Sequence, residues 1–164
     1  MVSKSSRKWI WNGTIYPCII IWKWKGNRKE FRKAFYWYQK AVEDGHVDAK
    51  FKLASSYHDG KGTEKNLEKA FYWIQKAAKN GNIDAQYNLA TCYANGEGTE
   101  KRLEKAFYWY QKAAENGQIC AQFRLALSYY YGKETEKNLE NAFYWYYKAE
   151  NGDKVFNSND RNSL

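Results

Sequence analysis

Apolar positions along this chain recur in two alternating helical registers. In residues 67–80, Leu67, Ala70, Phe71, Ile74, Ala77 and Ala78 fall at three- and four-residue steps. At about 100° per residue they share one stripe, with Trp73 at its edge, and predict a helix with one buried face. In residues 84–95, Ala85, Leu89, Cys92 and Tyr93 form a second stripe. Asn66 and Asn138 stand where N-caps of the first kind of helix belong, and Asp48 and Asp84 where caps of the second belong. Gly81 and Gly117, then Gly60, Gly96 and Gly132, stand at the expected stops. A Gly-containing connection of about seven residues joins the two helices into an antiparallel hairpin.

The hairpin is repeated. Phe35, Phe71, Phe107 and Phe143 stand 36 residues apart, inside KAFYWYQKA, KAFYWIQKA, KAFYWYQKA and NAFYWYYKA. A fixed period of this length marks a solenoid, in which each unit buries its apolar face only by stacking on the next. The expectation is an all-α solenoid, a right-handed superhelix of helical hairpins. It comprises a single helix at 31–44 and full repeats at about 47–80, 83–116 and 119–152. Residues 1–30 are set apart as an atypical basic and aromatic segment, and 153–164 as a polar tail read as disordered.

Ala85, Leu89, Ala90, Tyr93, Gly96, Gly98, Lys105, Ala106, Trp109, Tyr110, Lys112, Ala113, Ala114 and Gly117 carry a resemblance to the Sel-one-like repeat family, relatives of the tetratricopeptide repeat. Their wording is similar to that of fungal arrays, some of which accompany a protein-kinase domain. No kinase motif occurs in this sequence. Two positions depart from the family pattern. Ala54, Ala90 and Ala126 replace a Gly after Leu, and Glu134 replaces the second turn Gly, so wider packing and an altered turn are expected there. The resemblance implies a non-catalytic scaffold for signalling, cell-wall-synthesis or protein-quality-control complexes.

Charge changes the picture less than its sum suggests. The formal net charge is +9. The first 32 residues hold eight Lys/Arg and one acid, and the remaining 132 hold 19 basic and 17 acidic residues. The body is nearly balanced, which argues against nucleic acid as its partner. A mean hydropathy of -0.89 and the absence of any apolar run of 18 residues exclude a helical membrane span. Cys18, Cys92 and Cys120 are odd in number and lack CxxC spacing, which fits reduced thiols and a cytoplasmic location. The apolar stretch at 15–21 is broken by Pro17 and is followed by no clear cleavage site, against a secretory signal.

The basic segment also fits a repeat read one base out of frame. Trp codons then supply Gly. Under compatible codons, residues 22–28 become Gly-Asn-Gly-Lys-Gly-Thr-Glu and 29–32 become Arg-Asn-Leu-Glu, in register with the repeat. The alternative is a genuine basic, aromatic anchor, which would make the protein membrane-surface bound.

Catalytic and cofactor chemistry have little support in these residues. His46 and His58 are 12 apart and unrepeated, and read as surface histidines. Gly60-Lys61-Gly62-Thr63 lacks the spacing of a phosphate loop and recurs as the repeat turn at Gly96–Thr99. Glu68, Glu104 and Glu140 recur at one repeat position, as a solvated face does. No cofactor, metal or catalytic residue is expected.

Two surfaces are candidates for binding. Tyr36, Tyr72, Tyr108 and Tyr144 form an outer set beside Lys40, Lys76, Lys112 and Lys148, either an acidic-partner surface or Lys stems packed on rings. The first helix of each repeat carries residues that differ between copies: Phe51, Lys52 and Ser55; Tyr87, Asn88 and Thr91; Phe123, Arg124 and Leu127. In helical-hairpin solenoids this helix usually lines the concave face, so these nine are the candidate site for a protein or peptide partner. Drift at surface positions is the alternative. At the level of function, a scaffold or adaptor stands beside a regulatory fragment of a kinase-linked signalling protein.

Overall fold

The computed structural model describes residues 27–151, which form seven helices and, among the described residues, no strand. The chain divides into two compact units between Asn80 and Gly81. In the first unit, α1 (Arg28–Glu43), α2 (Val47–Asp59) and α3 (Leu67–Lys79) follow one another. In the second are α4 (Ile83–Asn95), α5 (Leu103–Glu115), α6 (Ile119–Tyr131) and α7 (Leu139–Asn151). Hairpins α2–α3, α4–α5 and α6–α7 are each closed by seven residues. Within the units, α1 also packs on α2 and α5 on α6. The architecture is the all-α array of helical hairpins expected from the period.

Alanine makes these helices fit. Ala49, Leu53 and Ala54 on α2, Ala85, Leu89 and Ala90 on α4, and Ala121, Leu125 and Ala126 on α6 are all buried. The second helices answer with Ala70, Ile74, Ala77 and Ala78 on α3 and Ala106, Tyr110, Ala113 and Ala114 on α5. Small residues at the crossings bring the axes close, and larger ones, Leu53, Ile74, Leu89, Tyr93, Tyr110 and Leu125 among them, fill the layer. Leu67 and Phe71, expected at the core, are half-buried at its border.

Boundaries follow from capping. Asn66, Asn82 and Asn138 side chains accept the N–H of Lys69, Ala85 and Asn141 at 2.8, 2.7 and 2.9 Å. Asp48 and Asp84 are not caps: they lie in the first turns, and the capping positions are His46, whose side chain makes no capping bond, and Asn82. There the two carboxylates still favour the positive helix end. Helix α1 begins at Arg28, three residues before Phe31, because Asn27 and Glu30 form a reciprocal capping box. The frameshifted-repeat and anchor readings of 1–26, and the tail reading of 153–164, lie outside the described residues.

The repeat turn holds neighbouring repeats together. In α2 the chain leaves through Gly60 in the left-handed region, φ 69°, and the loop closes with Asn66 N–H donating to Tyr57 O at 2.8 Å. Gly62 has φ 79°, and a Cβ there would fall on the carbonyl of Phe31 in α1 and within 2.9 Å of Phe35 Cβ. Only Gly allows this approach. At the third copy of the turn Glu134 carries a Cβ, so that close seat cannot recur, yet the same bends and closing bond persist, Asn138 N–H to Tyr129 O at 3.0 Å. Aromatic edges add to the stacking, Phe35 on Tyr57 at 5.3 Å and Phe107 on Tyr129 at 5.6 Å between centroids.

Candidate functional site

The nine candidate residues fall on three helices. Phe51, Lys52 and Ser55 are half-buried on α2 in the first unit. Tyr87, Asn88 and Thr91 are half-buried on α4, and Phe123, Arg124 and Leu127 are exposed on α6, all in the second.

Many of their polar groups are already engaged. The Ser55 hydroxyl donates to Phe51 O at 3.1 Å, Thr91 to Tyr87 O at 3.1 Å, and Asn88 to Asp84 O at 2.7 Å. Such bonds to the preceding turn satisfy the side chain without an outside partner. Thr91 also shares a hydrogen bond with the Tyr110 hydroxyl at 3.2 Å, and the Tyr87 and Tyr110 rings meet at 5.7 Å. Burial pushes the Tyr110 phenol up, against the opposing pull of the Thr91 bond and of the Arg124 charge. On α6 the equivalent ring pair is Phe123 with Tyr146 of α7, 5.7 Å apart. The candidate positions on the second unit are therefore backed by Tyr110 and Tyr146, which the variable-position argument missed. Their signal was the column Tyr38, Ile74, Tyr110, Tyr146, one repeat position that is aromatic in three copies.

Lysines of the outer face lie against rings. Lys76 sits 5.5 Å over Tyr72, Lys112 5.4 Å over Trp109, and Lys148 6.0 and 5.7 Å over Tyr144 and Trp145. Tyr72 meets Trp73 edge-on at 5.1 Å, and Tyr36, Tyr108 and Tyr144 meet their following Trp in the same way. Lys40 instead pairs with Glu43 at 2.9 Å. Packing of cation on ring is the better account of these lysines.

The remaining candidates resolve into structure. His58 and Lys61 both bond the Asp59 carboxylate, at 2.9 and 2.8 Å. The Gly60–Thr63 turn packs on α1 through Gly62. Cys92 is buried and its thiol is pushed up to about 11, chiefly by loss of solvent, whereas Cys120 is exposed. Among the described residues no three His, Cys, Asp or Glu side chains converge on a metal position, and no helix is long and apolar enough to cross a membrane.

Comparison with known proteins agrees with this geometry. The Sel1 repeat family profile matches residues 23–46, 47–82, 83–118 and 121–153. No curated protein matches the chain. Among solved structures, a Sel1 repeat protein from Oxalobacter formigenes is 31% identical, with a TM-score of 0.77 over 85% of this chain and 54% of its own. The cysteine rich protein B of Helicobacter pylori is 27% identical, with a TM-score of 0.59 over 76% of this chain and 90% of its own. A protective antigen of uropathogenic Escherichia coli strains, with the same repeat fold, is 24% identical, with a TM-score of 0.69 over 87% and 34%. The chain thus spans about half and a third of the length of two of these relatives.

Proposed function

The chain belongs to the Sel1 repeat family, and from that premise we propose that it is a non-catalytic scaffold or adaptor holding a protein or peptide partner through the variable positions of α2, α4 and α6. Proteins built from these repeats generally act as protein-interaction scaffolds. One observation carries the reading. The buried face of the three helices is nearly constant, while Phe51, Lys52 and Ser55 give way to Tyr87, Asn88 and Thr91 and then to Phe123, Arg124 and Leu127. A constant scaffold under a changing surface can carry selectivity, with affinity from aromatic anchors and register from a polar rim. The near balance of charge after residue 32 supports a protein partner over a nucleic acid.

Photo-cross-linking from residues 51, 87 and 123 identifies the partner, and substitution tests the face. Tyr87→Ala and Phe123→Ala are each expected to weaken the identified complex by about 1–3 kcal/mol with helix content unchanged. Equal loss from Tyr72→Ala and Tyr108→Ala instead would move the site to the outer face. Purified protein is expected to show no hydrolase or kinase turnover. Activity abolished by substituting His46 or His58 would overturn the non-catalytic reading.

A further inference from the structure

Helix α6 exposes an arc unlike that of its counterparts. Ile119, Phe123, Leu127 and Tyr131, at steps of four, are 55%, 38%, 48% and 60% exposed. Tyr146 of α7, 50% exposed, extends the patch through its ring contact with Phe123. The same repeat positions read Val47, Phe51, Ser55 and Asp59 on α2, and Ile83, Tyr87, Thr91 and Asn95 on α4. Only on α6 is the whole ridge apolar. A ridge at four-residue steps is the shape that packs into the groove of another helix.

The helix itself carries charge of one sign only. Arg124 is the only charged residue of α6, and the first-turn acid of α2 and α4, Asp48 and Asp84, is Cys120 here. In the loop that follows, Lys133 lies 5.5 Å over the Tyr131 ring and Lys137 5.8 Å over Tyr130. Of that loop's acids, Glu134 is half-buried and close enough to oppose Tyr110 ionisation, and Glu136 is exposed.

We infer that the α6 ridge is a docking site for an acidic amphipathic helix of a partner protein, apolar at four-residue steps and bordered by carboxylates that meet Arg124, Lys133 and Lys137. This rests on the scaffold reading above and names its partner chemistry. Other occupants fit less well. Residues 152–164 offer only Val155, Phe156 and Leu164 as apolar side chains, too few for the ridge. Residues 1–26 carry five Lys/Arg and no acid, the same sign as the rim. A second copy brings Arg124 against Arg124 and no α6 carboxylate to meet it, so self-docking lacks the complementary charge on the ridge.

The test uses full-length protein and two synthetic 18-residue helical peptides. Both carry one Leu ridge, flanked by Glu in one and by Lys in the other. Fluorescence anisotropy is expected to show saturable binding of the Glu peptide at least tenfold tighter than the Lys peptide. Leu127→Thr with Tyr131→Asn, which places the α4 residues on α6, is expected to weaken it tenfold or more with unchanged circular dichroism. Arg124→Glu is expected to narrow the preference between peptides, and Tyr108→Ala to change nothing. Absent binding, equal binding of both peptides, or indifference to the α6 pair overturns the inference. So does a dimer in sedimentation that the pair dissolves, or peptide binding that appears only after deletion of 152–164. Capture of the cross-linked partner that depends on Tyr87 but not on the α6 pair overturns this inference and leaves the scaffold reading standing. Loss from neither set overturns that reading itself.

Discussion

Helices α2 and α6 share a buried face and little else. Ala49, Leu53, Ala54 and Ser56 are matched by Ala121, Leu125, Ala126 and Ser128, all buried. Outside, α2 carries Asp48, Lys52, Ser55 and Asp59, and α6 carries Cys120, Arg124, Leu127 and Tyr131 at the same positions. The α2 surface is knit within its own unit. Burial alone would raise the Asp59 carboxyl, but hydrogen bonds from His58 and Lys61 outweigh that and hold it below its ordinary range. The α6 surface is mostly apolar and exposed. Folding therefore constrains one half of each helix and leaves the other half free for function.

The two faces are separated most sharply by their thiols. Cys92 lies on the buried face of α4 and Cys120 on the exposed arc of α6. With a thiol at about 11, Cys92 stays protonated at neutral pH, and the thiolate is the reactive species. Iodoacetamide is expected to modify Cys120 at least about a hundredfold faster than Cys92 in native protein, and the two at similar rates in urea, as read by peptide mass spectrometry. The raised thiol also fixes a sign. It favours the fold below the ordinary thiol range, and that contribution is lost as pH climbs from there toward about 11. Equal native rates would mean that the α4 face opens freely.

A second contrast lies in the turns. Gly62 rests on the Phe31 carbonyl of α1 with a positive φ, and Glu134 occupies the same place in the third turn. Gly62→Ala adds both backbone strain and overlap with α1, an expected loss of about 2–4 kcal/mol in urea unfolding. Glu134→Ala is expected to cost within about 0.5 kcal/mol. A mild Gly62→Ala would show that the turn does not hold α1 in place.

Much of this was legible in the sequence because repetition samples one environment several times. The 36-residue spacing of Phe35, Phe71, Phe107 and Phe143 fixed the helix pair, and Gly60, Gly96 and Gly132 fixed the stops. Less legible was anything decided by a neighbouring element. Gln86 and Gln122 look like surface residues on a helical wheel, yet both are buried, with Gln122 donating to Ala114 O at 3.1 Å across the α5–α6 interface. Asp48 and Asp84 were expected as caps, because an acid near a helix start suits both the cap and the first turn. The nine variable positions could not by themselves separate the half-buried Thr91 from the exposed Leu127.

Those two glutamines give a third contrast. Asn116 donates to Gln86 Oε1 at 2.9 Å, whereas Gln122 Oε1 is buried with no hydrogen-bond partner among the described residues. Asn116→Ala removes this bond to a buried side chain and is expected to cost about 1–1.5 kcal/mol. Gln122→Met removes an oxygen that is already stranded, along with one bond to Ala114, and is expected to cost less, under about 1 kcal/mol. The reverse ranking in urea unfolding would show that Asn116 contributes little to the second unit.

The smallest expected effect is a gain. At the start of α3 and α7, Asn66 and Asn138 bond the third N–H of the helix. At the start of α5 the same position is Arg102, which makes no capping bond and instead pairs with Glu100 at the surface, 2.7 Å away. That exposed pair is screened by solvent and adds little. Arg102 already has the extended backbone of a cap, φ -142° and ψ 94°, close to Asn66 at -149° and 103°. Arg102→Asn thus needs no backbone change to satisfy an orphan donor. It is expected to stabilise the protein by about 0.5–1 kcal/mol and raise the melting temperature by ~2–4 °C. An unchanged or lower melting temperature would mean that packing against α4 and α6, rather than the cap, sets where α5 begins.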